Sequence, residues 1–312
     1  MSAIKTAVIG VGSLGQHHAR ILASHPKSEL LFVVDSDKKR GEKIAKSAGC
    51  GYIDNFMDLI GKVDAAVVSV PTEYHYQIAK PLLENGIHCL VEKPFTLSVE
   101  DAQELIETAK EKNLILQVGH VERFNPAVIA AIPYVDNPRF IEVNRLGPYD
   151  ARTAHIGVVL DLMIHDIDIL FSLVKHKVVS FEAYGAKILS ETEDIAKVRL
   201  KYANGCVADI SASRVSMEKY RKIRIFEPSA YISIDYAGKS LKIYKKKGGK
   251  EKIKSLFDIE IIKPKLPSQE PLFYELDNFL NSIVEGKKPF VSGEQGRDAV
   301  ELALEILKNM IF

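Results

Sequence analysis

The chain predicts an α/β protein: a doubly wound parallel sheet first, then an α+β domain with an open, mostly antiparallel sheet. Two observations carry this. Five short apolar runs, at residues 7–11, 30–34, 65–70, 87–91 and 114–118, alternate with longer charged stretches of helical period. Strand alternating with helix builds a parallel sheet covered on both faces. From Asn125 the order changes, and one long apolar segment, 158–174, precedes a succession of strand-like runs, which pair antiparallel. At 312 residues the chain exceeds what one core usually fills. We therefore expect two domains, 1–122 and 123–312, with C-terminal helices able to pack back on the first.

The first run opens into Gly10-Val11-Gly12-Ser13-Leu14-Gly15, and Asp35 ends the next run 20 residues after Gly15. A Gly-x-Gly-x-x-Gly loop between strand and helix is the dinucleotide-binding pattern of a Rossmann domain. Gly10 permits the tight turn, Gly12 lets backbone approach a pyrophosphate at the positive end of the helix, and Gly15 lets helix pack on strand. Asp35, followed by Ser36, would accept hydrogen bonds from ribose hydroxyls and repel a 2′-phosphate, which favours NAD over NADP. Lys38, Lys39 and Arg40 pull the other way. The run 65–70 leads through Pro71 and Thr72 to His75, and all three join Ser13 and Leu14 as cofactor-side candidates at the carboxyl edge of the sheet. His75 reads equally well as a helix-start histidine satisfied by its neighbours.

The run 87–91 ends in Glu92-Lys93-Pro94 on that same edge. Pro94 excludes Lys93 from a helix and holds it extended, so Glu92 and Lys93 face the ligand stiffly. Ser98 with Asp101 then caps a helix in which Ala102, Leu105, Ile106 and Ala109 keep the 3.6-residue period. In the long apolar segment, at about 100° per residue, Asp161, His165, Asp168 and Ser172 share a stripe roughly 60° wide, opposite Met163, Ile167 and Leu170. A carboxylate beside an imidazole can make an oriented general base. The pair could also begin a metal site, but no third ligand follows at metal spacing, and we expect no metal. Strand-like runs at 197–202, 207–212, 221–226 and 230–235 are separated by Asn204-Gly205, Glu227-Pro228 and Ala237-Gly238. Two helices follow, near 271–284 and 294–310, and the basic stretch 242–254 reads as an exposed hairpin.

Composition narrows the partners. With 42 basic against 41 acidic residues, no global field recommends nucleic acid or an anionic membrane. No apolar stretch reaches about 18 residues free of charge, so no membrane partner is expected. Cys50, Cys89 and Cys206 lie far apart in no CxxC spacing and no secretory leader is evident, which suits a reducing cytoplasm.

In order, the glycine loop, Asp35, Glu92-Lys93-Pro94, and Asp161 with His165 resemble the glucose-fructose oxidoreductase, inositol dehydrogenase and rhizopine-catabolism (Gfo/Idh/MocA) family over essentially the full length. The resemblance implies NAD-dependent oxidation of a sugar hydroxyl, with the sugar between the two domains and Lys93, Asp161 and His165 as the catalytic set. It also implies a homodimer or homotetramer built through the C-terminal sheet. Residues 118–128 and 156–168 resemble the branch that oxidises C3 of UDP-N-acetylglucosamine, making the 3-keto sugar nucleotide that precedes a 2,3-diamino sugar. That branch would put Arg123 and Asn125 near cofactor and sugar, and Tyr149 and Arg152 on a substrate-facing loop. A diphosphate needs positive donors, for which Arg145, Arg152 and Arg214 are candidates, although each by itself reads as a surface residue. A dehydrogenase of a free polyol or aldose, and a dinucleotide-binding regulator without catalysis, are the alternatives. A regulator has no need of a proton acceptor, so Lys93, Asp161 and His165 together argue against it.

Overall fold

The parallel sheet is built from β1 (Ile4–Ile9), β2 (Ser28–Val34), β3 (Gly51–Ile53), β4 (Ala65–Val68), β5 (His88–Glu92) and β6 (Leu116–Gly119), in the order β3-β2-β1-β4-β5-β6. This computed structural model describes residues 3–151, 154–236, 238, 240–249 and 255–312. Every residue of β4 is buried, as a central strand covered on both faces requires. The covering helices are α1 (Gly15–Ser24), α2 (Lys38–Ala48), α3 (His75–Glu84) and α4 (Val99–Glu111). Asp37 caps α2 by accepting from the Arg40 N–H, and Ser98 caps α4 by accepting from the Asp101 N–H. The three-residue β3 escapes the sequence pattern because it is too short to show a period.

The chain divides into two compact units. The first ends at Val121 and takes back Gln269–Glu301; the second comprises Glu122–Ser268 and Leu302–Phe312. In the second, α5 (Pro126–Ala131) and β7 (Phe140–Leu146) come first, followed by a π-helical turn, Val159–Met163, that runs into α6 (Ile164–Leu173). Then come β8 (Val178–Ala186), β9 (Ile195–Tyr202), β10 (Val207–Ser213), β11 (Tyr220–Phe226), β12 (Ala230–Asp235), β13 (Ser240–Lys246) and β14 (Ile259–Ile262). The sheet order is β14-β13-β12-β11-β7-β10-β9-β8. One face is buried and the other open: in β9, Ala196, Val198, Leu200 and Tyr202 are buried while Lys197, Arg199 and Lys201 are exposed.

Two details refine the expected, mostly antiparallel sheet and the long apolar helix. β7 lies in the middle of the sheet and pairs parallel to β10, so the sheet is mixed. The alternation of β7 is masked in the sequence by Arg145, which interrupts the apolar series on the inner face. The segment expected as one uniform α-helix begins with the wider π turn. Finally α7 (Pro271–Glu285) and α8 (Gly293–Lys308) follow. Leu272, Leu276, Phe279 and Leu280 of α7 enter the core cluster of the first unit with Val8, Val33 and Leu90. Each fully buried side chain of this kind contributes about 1.5–3 kcal/mol. No helix among the described residues is long and apolar enough to cross a membrane.

Candidate active site

Strand register assembles the ligand edge of the first unit. Ile9 lies opposite both Val34 and Val68, and Val68 opposite Val91, so Gly10, Asp35, Ser69 and Glu92 follow at one level. This edge includes the point between β1 and β4 where the strand order reverses, the usual ligand crevice of such sheets. Gly10 has φ +81°, and a Cβ there would stand 2.5 Å from the Ser69 carbonyl oxygen. A Cβ on Gly15 would fall 1.8 Å from the Gly10 carbonyl oxygen, which makes glycine obligatory at the close approach of helix and turn. Around Gly12, by contrast, there is open space. No side chain caps α1 and no acidic residue lies in its first turn. A pyrophosphate fits these residues: open space above Gly12 and the positive end of an uncapped helix.

Asp35 is 4% exposed. Its Oδ2 accepts from the Val11 N–H at 2.9 Å and its Oδ1 from the Asp37 N–H at 2.8 Å. Burial alone would raise its pKa; Arg40 and these amides outweigh burial and hold it below the usual carboxylate value. Ser13, Leu14, Ser36 and Pro71 are exposed and Thr72 half-buried at the same end of the sheet.

Glu92 and Lys93 leave β5 side by side. The Glu92 carboxylate bridges two elements: Oε1 lies 2.7 Å from Nε2 of His18 on α1, and Oε2 accepts from the Lys93 N–H at 3.2 Å. Gly119 on β6 leaves room for it, since a Cβ there would stand 2.8 Å from the carboxylate. The Lys93–Pro94 peptide is cis. His75, expected on the cofactor side, is buried at 1% exposure. Its Nδ1 lies 2.9 Å from the Pro94 carbonyl oxygen and its Nε2 2.9 Å from that of Val70. Burial lowers its pKa, and the ring ties the loop after β4 to the loop after β5. That is the second of its two sequence readings. Among the described residues, His18, Glu92 and Glu275 offer ligand-type atoms within 4.8 Å of one another. The 2.7 Å contact in this group has the length of a hydrogen bond, so we read a buried polar tie.

In the second unit Asp161 belongs to the π turn and His165 to the first turn of α6, and both are half-buried. Their neighbours on the stripe are buried and structurally engaged. Asp168 accepts from Arg123 at 3.0 Å, and Ser172 donates to the Ile169 carbonyl at 2.6 Å. Burial pushes the Asp168 carboxyl up to about 7 against the pull of Arg123. The start of the π turn is pinned by the β8–β9 connection. Glu193 accepts the Val158 N–H on its carbonyl and the Val159 N–H on Oε1, both at 3.0 Å. Arg214 donates to the Ile156 carbonyl and, at 2.6 Å, to Asp194, while Thr192 donates to the Ala154 carbonyl at 3.1 Å. Burial would raise Asp194; the N–H groups of Leu189 and Ile188, with Arg214 and the Ser190 hydroxyl, hold it below the usual range.

These contacts correct several expectations. Arg145 and Arg214 are not surface residues but are 2% and 3% exposed. Arg145 forms a bidentate pair with Asp166 at 2.7 and 2.8 Å, reaches Glu122 at 2.9 Å and lies over the Tyr236 ring. Neither arginine is an open phosphate donor. Arg123 is 2% exposed and is engaged with Asp168 on α6, and Asn125 caps α5 by accepting from the Ala127 N–H at 3.0 Å. Both are buried and hold these structural contacts. Tyr149 is 40% exposed, with the Arg214 guanidinium 5.9 Å from its ring centre. Arg152 lies outside the described residues. His18, Glu193 and Asp194 carry no expectation from the sequence, and Arg214 was expected only as a phosphate donor. For His18 a signal existed, an imidazole on the buried stripe Gly15, His18, Ala19, Leu22 of α1.

A glycine loop, an acidic strand end and a helix N-terminus open to an anion define a dinucleotide-binding Rossmann protein. A sequence profile described as "Oxidoreductase family, NAD-binding Rossmann fold" matches residues 4–120, and one described as "GFO/IDH/MocA C-terminal domain" matches residues 137–236. The chain belongs to the Gfo/Idh/MocA family of NAD-binding oxidoreductases. It is 34% identical over 308 residues to UDP-N-acetylglucosamine 3-dehydrogenase of Acidithiobacillus ferrooxidans, covering 97% of this chain and 96% of that one. A solved structure of that enzyme superposes with a TM-score of 0.91 over 99% of this chain and 98% of the other, at 33% identity. The scyllo-inositol 2-dehydrogenase (NAD(+)) of Bacillus subtilis is 30% identical over 239 residues, 68% of each chain.

Proposed function

We propose that this protein oxidises the C3 hydroxyl of UDP-N-acetylglucosamine to a ketone in the cytoplasm, providing the 3-keto sugar nucleotide for amination to a 2,3-diamino sugar. The observation that carries the reading is the 34% identity across 97% of the chain, whereas an inositol dehydrogenase that spans 98% of it is 25% identical. NAD supplies the hydride acceptor. Oxidation of a secondary alcohol loses a hydride from carbon and a proton from oxygen. His165 takes that proton on a ring nitrogen, and Asp161 orients the imidazole and stabilises its charged form. Lys93, held at the end of β5 with its N–H on Glu92, donates a hydrogen bond to the reacting oxygen and stabilises the negative charge developing there; the alternative base is Lys93 itself, if desolvation and the cationic nicotinamide favour its neutral form. Tyr149, exposed ahead of the π turn that carries Asp161, contacts the nucleotide sugar. The second unit carries the substrate and, through its open sheet, a homodimer or homotetramer.

Kinetics of Lys93→Met and His165→Asn at several pH values test the assignment, with each variant expected to lose about 10²- to 10⁴-fold in kcat. Full turnover in both variants, with NAD and substrate saturating, would remove these residues from the mechanism. A screen of sugar nucleotides for NAD reduction, with a glutamate-dependent aminotransferase added to remove the ketone, tests the substrate. Inositol dehydrogenases among the relatives make a free polyol the second reading. Failure of saturating UDP to raise the unfolding midpoint would put that reading ahead.

A further inference from the structure

Arg40 stands over the carboxylate that the adenosine ribose of a dinucleotide has to meet. Its Nη2 donates to Asp35 Oδ1 at 2.6 Å and its Nε donates to Oδ2 at 2.9 Å. The Val11 and Asp37 amides occupy the same two oxygens. A carboxylate offers about four lone-pair positions, so those of Asp35 are all engaged. The Asp35 side chain is buried, whereas 45% of the Arg40 side chain is exposed, so the guanidinium forms the solvent side of the pair. Its Nη1 has only a loose contact, 3.7 Å from Asp37 Oδ2. The amines of Lys38 and Lys39 lie on the same exposed first turn of α2, and Lys38 is only loosely paired, 3.8 Å from Glu42.

What faces the ribose is therefore a neutralised ion pair presenting a guanidinium, not a bare carboxylate. We infer that Arg40 selects the dinucleotide and makes this a site for NADP as well as NAD. The repulsion that an isolated Asp35 would exert on a 2′-phosphate is offset by its partner. A guanidinium already fixed through two of its nitrogens presents the third to a phosphate oxygen, a geometry that suits charge-assisted pairing. With NAD the opposite happens: the ribose hydroxyls must replace the Arg40 N–H groups on Asp35. Arg40 thus favours one cofactor and competes with the other.

The inference rests on the dinucleotide loop and is independent of the sugar, so it is tested by binding alone. Titration calorimetry of the full chain with NAD and with NADP, without sugar, should give dissociation constants within about tenfold of each other. In Arg40→Met the ratio Kd(NADP)/Kd(NAD) should rise by about tenfold or more, one lost charge-assisted contact. Arg40→Lys, which keeps the charge and loses the fork, should fall between. A single cooperative thermal transition in each variant would show that it folds. An unaltered protein that binds NADP more than about a hundredfold less tightly than NAD, or a ratio that Arg40→Met leaves unchanged, would overturn the inference.

Discussion

Lys93 depends on groups far from it in sequence. Its own N–H is held by Glu92, Glu92 is held by His18, and the space for that carboxylate exists because residue 119 is glycine. Glu92→Ala would leave the fully buried His18 ring without its partner, at a cost of about 1–3 kcal/mol, measurable as a lower urea midpoint. It would also loosen Lys93, so kcat should fall even where the protein remains folded. A variant with unchanged kcat would show that the Glu92 tie does not position the lysine. The stiffness of Lys93 was legible, because proline acts on its immediate neighbour. His18 was not, because its partner lies 74 residues away.

Among the elements, the π turn and α6 are held by buried charge at their start and at Asp166 and Asp168 within the helix. A Cβ on Gly157 would stand 1.9 Å from Glu193 Oε1, the oxygen that accepts the Val159 N–H. Gly157→Ala must displace that cap, costing about 1–3 kcal/mol, and should lower kcat by tilting the helix that carries Asp161 and His165. Chemical denaturation and steady-state rates of the one variant read both effects. Further along α6, Asp168 gives a pH dependence. Its folded pKa of about 7 lies above the ordinary value of a free carboxyl, about 4. Between about pH 4 and 7 the folded chain keeps a proton that the unfolded chain has released, so this group makes stability fall as pH rises through that window. Asp168→Asn removes the titration, and the plot of unfolding free energy against pH should flatten there. An unchanged slope would show that Asp168 stays ionised beside Arg123. The helix was expected from its apolar period; a period does not distinguish an exposed polar stripe from a buried, paired one.

On the scale of the whole molecule, the chain crosses between its two units after Val121, Ser268 and Glu301, and the first unit is complete only when α7 returns to it. A chain ended at Ser268 would lose Leu276, Phe279 and Leu280 from the first core. At about 1.5–3 kcal/mol each, that removes an amount comparable with the whole stability of about 5–15 kcal/mol. The truncated chain should therefore fail to bind NAD in calorimetry, and Leu276→Ala in the full chain should cost about 2–5 kcal/mol. Full NAD affinity in the truncated chain would show that α7 is dispensable. By itself the sequence determined the alternation of strand and helix, the glycine loop, Asp35 at its strand end and the lysine before proline, because these depend on residues adjacent or one period apart. The tertiary structure decided which arginines are buried, that β7 runs parallel inside the second sheet, that His75 ties two loops and that α7 completes the first core. Whether a charge can be buried depends on the partner it meets, and in this fold the partners of Arg145, Arg123 and His18 are 21, 45 and 74 residues away.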